Sequence, residues 1–167
     1  MTIYLLRHGL AVERGHGDPR LDPARPLTKT GRRKLARVAA AMRAMELSFD
    51  AVLSSPLVRA WQTADVVLGE LRSKCKVRRT RHLSPGGSVA ALVRELKSLK
   101  PVPASVLLVG HEPHLSGVAS VWLTGGRGLT VTMKKGGLCK LIIDQLRTRR
   151  CASLEWLLPP RLSGLME

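Results

Sequence analysis

The stretch that decides the fold is Thr2-Ile3-Tyr4-Leu5-Leu6-Arg7-His8-Gly9, near the start of this 167-residue chain. Its first five residues predict a strand buried in a sheet, which ends where the two basic residues begin. A second apolar run, Ser105 to Val109, is likewise followed by Gly110-His111. If the two strands lie side by side, both histidines meet at the sheet edge where open α/β folds bind ligands. That crevice would suit a phosphoryl group.

Helix patterns separate the predicted strands. Apolar residues at steps of three and four predict a helix after Thr28, and Ser55-Pro56, Ser88 and Pro113 are typical of helix starts. The segment from Glu13 to Pro26, rich in Gly, Pro, Asp and Arg, is predicted to be a loop long enough to be functional. The other predicted strands are Asp50 to Leu53, an edge strand at Lys76 to Arg81, and a hairpin of Leu138 to Ile143 with Ser153 to Leu158.

The composition predicts one compact domain over residues 1–167, since 44% hydrophobic residues in a chain of this length supply a sizeable core. Cys75, Cys139 and Cys151 form no Cys-x-x-Cys pair, which argues against a disulfide framework or a zinc site and favours a reducing cytoplasm. No apolar stretch approaches the roughly twenty residues of a membrane-spanning helix. We therefore expect a soluble, cytoplasmic protein without a membrane partner.

The chain is strongly basic, since 28 Lys and Arg against 12 Asp and Glu give a formal net charge of +16. The basic residues are scattered along the chain and attract anions in general. Single-strand nucleic-acid sites usually interleave aromatic residues for base stacking, whereas the few aromatics here fall mostly at apolar helix or strand positions. Nucleic acid is therefore a minor hypothesis. An acidic protein partner or a phosphate-rich substrate would use the same field.

Four motifs follow one another along the chain, after predicted strands or at predicted helix starts. They are Leu6-Arg7-His8-Gly9, Arg25-Pro26-Leu27-Thr28, Ser54-Ser55-Pro56 with Arg59, and Gly110-His111-Glu112-Pro113. In this order and spacing the chain resembles the histidine phosphatase superfamily, whose members are phosphoglycerate mutase-like, and specifically its small SixA-type phosphohistidine phosphatases. The resemblance implies an α/β fold, a three-layer α/β/α sandwich with a mostly parallel mixed sheet.

The resemblance also implies roles for the residues of these motifs. His8 is expected to be the nucleophile, because imidazole attacks phosphorus well and leaves a phosphoramidate that water can cleave. Arg7 and Arg59 are expected to bind the phosphoryl oxygens, and His111 to donate a hydrogen bond to one of them. An arginine in the first turn of a helix faces an unfavourable dipole, so an anion bound by both helix and side chain would explain Arg59.

Two further residues are candidates for binding the substrate. Arg25 lies in the predicted loop at the matching family position, from which it would approach the phosphate. A loop arginine in so basic a chain can equally be a plain solvated charge. Gly9 is expected to let the backbone pass close to the ligand.

A general acid is not evident in the sequence. The segment His82 to Ser88 contains no Asp or Glu, Glu95 falls on the polar side of a predicted helix, and Glu112 is placed to stabilise a helix N-terminus. A phosphoester expels an alkoxide and benefits from a positioned acid. Phosphohistidine expels an imidazole that can already carry its proton, so a site without the acid favours cleavage of a P–N bond.

We therefore predict a metal-independent phosphohistidine phosphatase that needs no cofactor and works through a phospho-His8 intermediate. Its expected partner is a phosphohistidine-bearing protein such as a phosphotransfer domain, and phosphate or sulfate is expected to bind in its pocket. No cluster of His, Asp or Glu has metal-ligand spacing outside this site. The first alternative is a general small-molecule phosphomonoesterase on the same fold. The second is a noncatalytic module that binds nucleic acid or another polyanion.

Overall fold

A mixed sheet of six strands forms the centre of the structure, a computed structural model that describes residues 1–13 and 19–161. The strands are β1 (Thr2–Arg7), β2 (Ala51–Ser54), β3 (Val77–Arg79), β4 (Ser105–Gly110), β5 (Leu138–Ile143) and β6 (Ala152–Leu158). The helices are α1 (Lys29–Ala44), α2 (Val58–Glu70), α3 (Val89–Ser98) and α4 (His114–Thr124), with short 3-10 helices at Pro19–Ala24 and Arg81–Leu83.

The strand order is β3-β2-β4-β1-β5-β6, in which β5 alone runs against its neighbours. The predicted pairing of the two histidine-bearing strands is confirmed. β1 and β4 are parallel neighbours in a register that pairs Arg7 with Gly110, and the backbone amide of His8 donates to the Gly110 carbonyl at 3.0 Å. His8 and His111 therefore leave the sheet at the same edge.

Two apolar cores lie on opposite faces of the sheet, because alternate residues of β1 point in opposite directions. Tyr4 and Leu6 pack in one core with residues of α1 and α2, and Ile3 and Leu5 pack in the other with residues of α3 and α4. This arrangement confirms the predicted three-layer sandwich with a mostly parallel mixed sheet. The predicted edge strand β3 and the β5–β6 hairpin are also present.

The predicted helix starts are confirmed at two of the four places. Thr28 caps α1 by accepting from the Gly31 amide at 2.9 Å, and Ser88 caps α3 by accepting from the Ala91 amide at 3.3 Å. The expectation at Ser55-Pro56 is wrong, since α2 begins only at Val58 and its cap, Leu57, offers no side-chain acceptor. Pro113 likewise precedes the first helical residue of α4 instead of occupying it.

The segment predicted as a loop contains the 3-10 helix Pro19–Ala24, and residues 14–18 of that loop lie outside the described part. Within the described ranges the three cysteines are unpaired. A search of the same ranges finds no helix with the length and apolar character needed to cross a membrane.

Candidate active site

His8 follows β1 directly and is almost fully buried, with 8% of its surface exposed. Its Nδ1 lies 2.7 Å from the Gly9 carbonyl oxygen, which can only accept, so Nδ1 carries the proton and donates. The Gly9 amide in turn donates to Thr63 Oγ1 at 3.1 Å, which fixes the turn after the strand. This tautomer leaves the lone pair on His8 Nε2, the nitrogen that can act as a nucleophile.

The surroundings of His8 keep its ring neutral. The pKa of His8 is lowered from 6.5 to about 4, mainly by burial and also by the positive charges of Arg59, Arg7 and Lys135, although the hydrogen bond to the Gly9 carbonyl opposes this shift. At neutral pH the imidazole is therefore unprotonated, as a nucleophile must be.

His111 follows β4 and lies beside His8, with 4.8 Å between the ring centroids. Its Nε2 lies 2.9 Å from Ser55 Oγ, and its buried Nδ1 has no hydrogen-bond partner among the described residues. Burial and the neighbouring His8 ring lower the pKa of His111 to about 3. If Ser55 donates to Nε2, the neutral ring carries its proton on Nδ1 as a free donor.

Arg7, the last residue of β1, donates from one terminal nitrogen to the Met133 carbonyl at 2.7 Å. Its buried Nε has no hydrogen-bond partner among the described residues. A buried donor without a partner costs about 1–3 kcal/mol, so the site is built to be completed by an acceptor. Arg7 Nε and His111 Nδ1 are two such donors near His8.

Arg59 lies in the first turn of α2, as expected, but it is buried, with only 3% of its surface exposed. It donates to the backbone carbonyl of Asp22 at 2.9 Å and to its carboxylate at 3.1 Å. The sequence predicted that an anion explains an arginine here. In the structure Arg59 binds a carboxylate of the chain itself, and its contact with a phosphoryl group stays a prediction.

Asp22 also pairs with Arg25, whose Nε donates to the other carboxylate oxygen at 2.8 Å. A terminal nitrogen of Arg25 donates to the Val12 carbonyl at 2.7 Å. Arg25 therefore connects Val12 with Asp22. Sequence reasoning missed Asp22. Its spacing of three from Arg25, after a proline-rich turn, is the signal that could have found it.

Gly9 has a close neighbour on the helix side of the turn. A Cβ at this position would collide with the side chain of Leu35 on α1, so the glycine is required by helix packing. Its approach to a ligand stays a prediction.

The other carboxylates considered from the sequence lie in structural contacts. Glu112 accepts from the Ser116 amide at 3.1 Å and stabilises the start of α4, as predicted. Glu95 pairs with Arg78 and accepts from Thr80 Oγ1. No group of three or more His, Cys, Asp and Glu side chains within residues 1–13 and 19–161 is arranged to hold a metal ion.

Comparisons with known proteins agree with this geometry. The model of the histidine phosphatase superfamily (branch 1) matches residues 3–84. The chain is 34% identical over 169 residues to an uncharacterized protein of a Picosynechococcus species, covering 95% of this chain and 100% of the relative. It is 31% identical over 114 residues to the phosphohistidine phosphatase SixA of Escherichia coli, covering 68% of each.

A solved structure of the protein histidine phosphatase SixA complexed with tungstate superimposes with a TM-score of 0.81. It is 25% identical, and the match covers 96% of this chain and 98% of that one. The chain therefore belongs to the histidine phosphatase superfamily, as its four motifs predicted. It has a SixA-like fold and is a phosphatase.

Proposed function

We propose that this phosphatase hydrolyses the P–N bond of phosphohistidine on a protein partner, without a metal ion, through a phospho-His8 intermediate. One observation carries the proposal: the neutral His8 ring lies with two buried donors, Arg7 Nε and His111 Nδ1, that lack partners among the described residues. A phosphoryl group offers acceptor oxygens to both donors while its phosphorus faces the nucleophile. Tungstate in the related SixA structure is an oxyanion of similar chemistry.

In the first step, the lone pair of His8 Nε2 attacks phosphorus. The bond from phosphorus to the substrate's imidazole nitrogen breaks, and its electron pair stays on that imidazole, which leaves neutral if its other nitrogen already carries a proton. Arg7 and His111 hold the charge on the phosphoryl oxygens. In the second step, water attacks the phosphorus and the bond to Nε2 breaks, with its electron pair returning to Nε2. Both protons of the water leave on the phosphate, as dihydrogen phosphate, and His8 is neutral again.

The choice of a P–N bond rests on the carboxylates around His111. In the described part of the chain, Asp22 is the carboxylate whose negative charge raises the pKa of His111, against the larger effect of burial. Its oxygens accept hydrogen bonds from Arg59 and Arg25, so this carboxylate is already occupied by two guanidinium groups. Among the described residues, no carboxyl group is then available to protonate an alkoxide leaving group, whereas an imidazole needs no such donor.

A protein substrate fits the same reasoning and the relatives. The Escherichia coli relative is named a phosphohistidine phosphatase. We place a phosphohistidine-bearing partner such as a phosphotransfer domain opposite His8, and the activity in the cytoplasm, where three unpaired cysteines are stable. The positive net charge would speed encounter with an acidic partner.

The test compares turnover of a phosphohistidine-bearing protein with that of para-nitrophenyl phosphate and simple phosphate esters, all in EDTA. Wild type is expected to prefer phosphohistidine and to give an acid-labile, base-stable phosphoenzyme when quenched. His8→Ala should abolish both signals, while His82→Ala, a control outside the described site, should keep them. A preference for esters would replace the proposal with a general phosphomonoesterase. Loss of activity in EDTA that added metal restores would refute metal independence.

A further inference from the structure

A groove with a volume of about 870 Å³ adjoins the active site. It lies between α1, the segment before β5 and the segment after β6, and Arg7 and Gly9 of the active-site segment also line it. Lys135, which lines it, is close enough to lower the pKa of His8. The groove is therefore continuous with the catalytic site and extends well beyond the space that a phosphoryl group needs.

The walls of the groove are positively charged. Five exposed basic residues from three separate segments line it, and none of the described residues in its lining is acidic. These five are Lys34, Arg37, Lys134, Lys135 and Arg161. Like charges gathered from three segments raise the local concentration of negatively charged partners.

The lining of the groove also includes apolar residues, which we call its floor. They are Leu10, Leu35, Val38, Pro159 and Pro160. Gly136 lies beside this floor at φ +80, a conformation that residues other than glycine rarely adopt, and a Cβ added there would lie 3.7 Å from the side chains of Leu35 and Pro160. A partner that fills this groove must therefore offer apolar side chains to the floor and negative charges to the walls.

We propose that this groove docks an acidic segment with an apolar edge, belonging to the phosphohistidine-bearing protein, and so presents its phosphorylated side chain to His8. The inference rests on the proposed function and adds the chemistry of its substrate. A nucleic acid fits the groove less well, since no described lining residue is aromatic and bases would find no stacking partner. A phosphorylated small molecule would leave the apolar floor uncovered.

The test uses three synthetic substrates. One is a phosphohistidine peptide flanked by Glu and Leu residues, the second has Gln in place of every Glu, and the third is free phosphohistidine. For wild type, kcat/KM is expected to be about tenfold higher for the acidic peptide than for the Gln peptide at low salt, and the difference should shrink as salt screens it. The kcat/KM for free phosphohistidine should not depend on the residues of the groove.

The double variant Lys34→Glu/Arg37→Glu is expected to lose this tenfold preference through KM and to keep its turnover of free phosphohistidine. Arg161→Glu tests a separate wall of the groove and should reduce the preference in part. The matched control is Arg147→Glu/Arg149→Glu, which makes the same charge change in the exposed β5–β6 turn, at the opposite end of the sheet. It should keep the preference.

Two outcomes of these kinetic tests overturn the inference. An equal loss for the control would mean that net charge alone attracts the peptide, and an equal loss for free phosphohistidine would make the groove part of the phosphate site. If no phosphohistidine compound is hydrolysed, the proposed function fails separately. Docking is then still decided by fluorescence anisotropy of the unphosphorylated acidic peptide, which must bind wild type about tenfold more tightly than the Lys34→Glu/Arg37→Glu variant.

Discussion

Two neutral histidines buried side by side should make this fold sensitive to acid. In the folded protein the pKa of His8 is about 4 and that of His111 about 3, against 6.5 for an unperturbed histidine. Below pH 6.5 the unfolded chain therefore binds protons that the folded chain does not. Stability falls as the pH falls from 6.5, and each loss levels off only below the folded pKa.

The magnitude follows from these values. At pH 5 an unfolded histidine is almost fully protonated, whereas both folded rings are largely neutral. Because pH 5 lies 1.5 units below the unfolded pKa of 6.5, each residue lowers the free energy of unfolding by about 2 kcal/mol. The two residues together should lower the free energy of unfolding by about 4 kcal/mol between pH 8 and pH 5, a large fraction of the total stability of a typical domain.

The assay is urea denaturation at both pH values for wild type, His8→Asn and His111→Asn. The loss of stability between pH 8 and pH 5 should be about 2 kcal/mol smaller in each variant than in wild type. His114, whose pKa burial also lowers, contributes to the loss in all three proteins and cancels in the comparison. If either variant loses as much stability as wild type, the ring it replaces is already charged in the folded state. For His8→Asn, that result would make a neutral nucleophile untenable.

Three further substitutions test the contacts of the site. Asp22→Asn should tighten the binding of inorganic phosphate about tenfold, or about 1.4 kcal/mol, as measured by calorimetry. The substitution removes a carboxylate that competes with phosphate for Arg59 and Arg25. Weaker binding would show that Asp22 orients the two arginines. Gly9→Ala should lower the free energy of unfolding by about 1–3 kcal/mol, because the new methyl group clashes with Leu35. Leu35→Ala should then destabilise the Gly9→Ala variant less than it destabilises wild type. If the two effects simply add, the clash is not the cause. Ser55→Ala should lower kcat about tenfold with little change in KM, because it removes the hydrogen-bond partner of His111 Nε2. An unchanged kcat would exclude a role of Ser55 in positioning His111.

The parts of the fold that the sequence predicted are those with a local signal. Continuous apolar runs such as β1 and β4 are typical of strands covered on both faces, and such strands usually pair in parallel between helices. His8 and His111 follow those strands directly, so their common edge could be derived before any distance was known.

The parts that failed depend on contacts between distant segments. Ser55 has the local features of a helix cap, but its hydroxyl lies 2.9 Å from His111, which is 56 residues away, and 3.3 Å from Ser84. The contact of Asp22 with Arg59 spans 37 residues and depends on where the 3-10 helix folds over α2. Neither contact produces a periodic pattern in the sequence, because its two residues lie far apart along the chain.

The charges around His8 also suggest an order of events. Arg7, Arg59 and Lys135 each lower the pKa of the nucleophile, so the unliganded site keeps His8 unprotonated and ready to attack. A phosphoryl dianion in the same place would reverse the sign of that field and favour positive charge on nearby rings. The neutral His111 ring already donates through Nδ1, and it would gain a positive charge only after the substrate is bound. The arrangement separates the two histidines by timing: His8 must be neutral before binding, and His111 is most useful when it becomes charged afterwards.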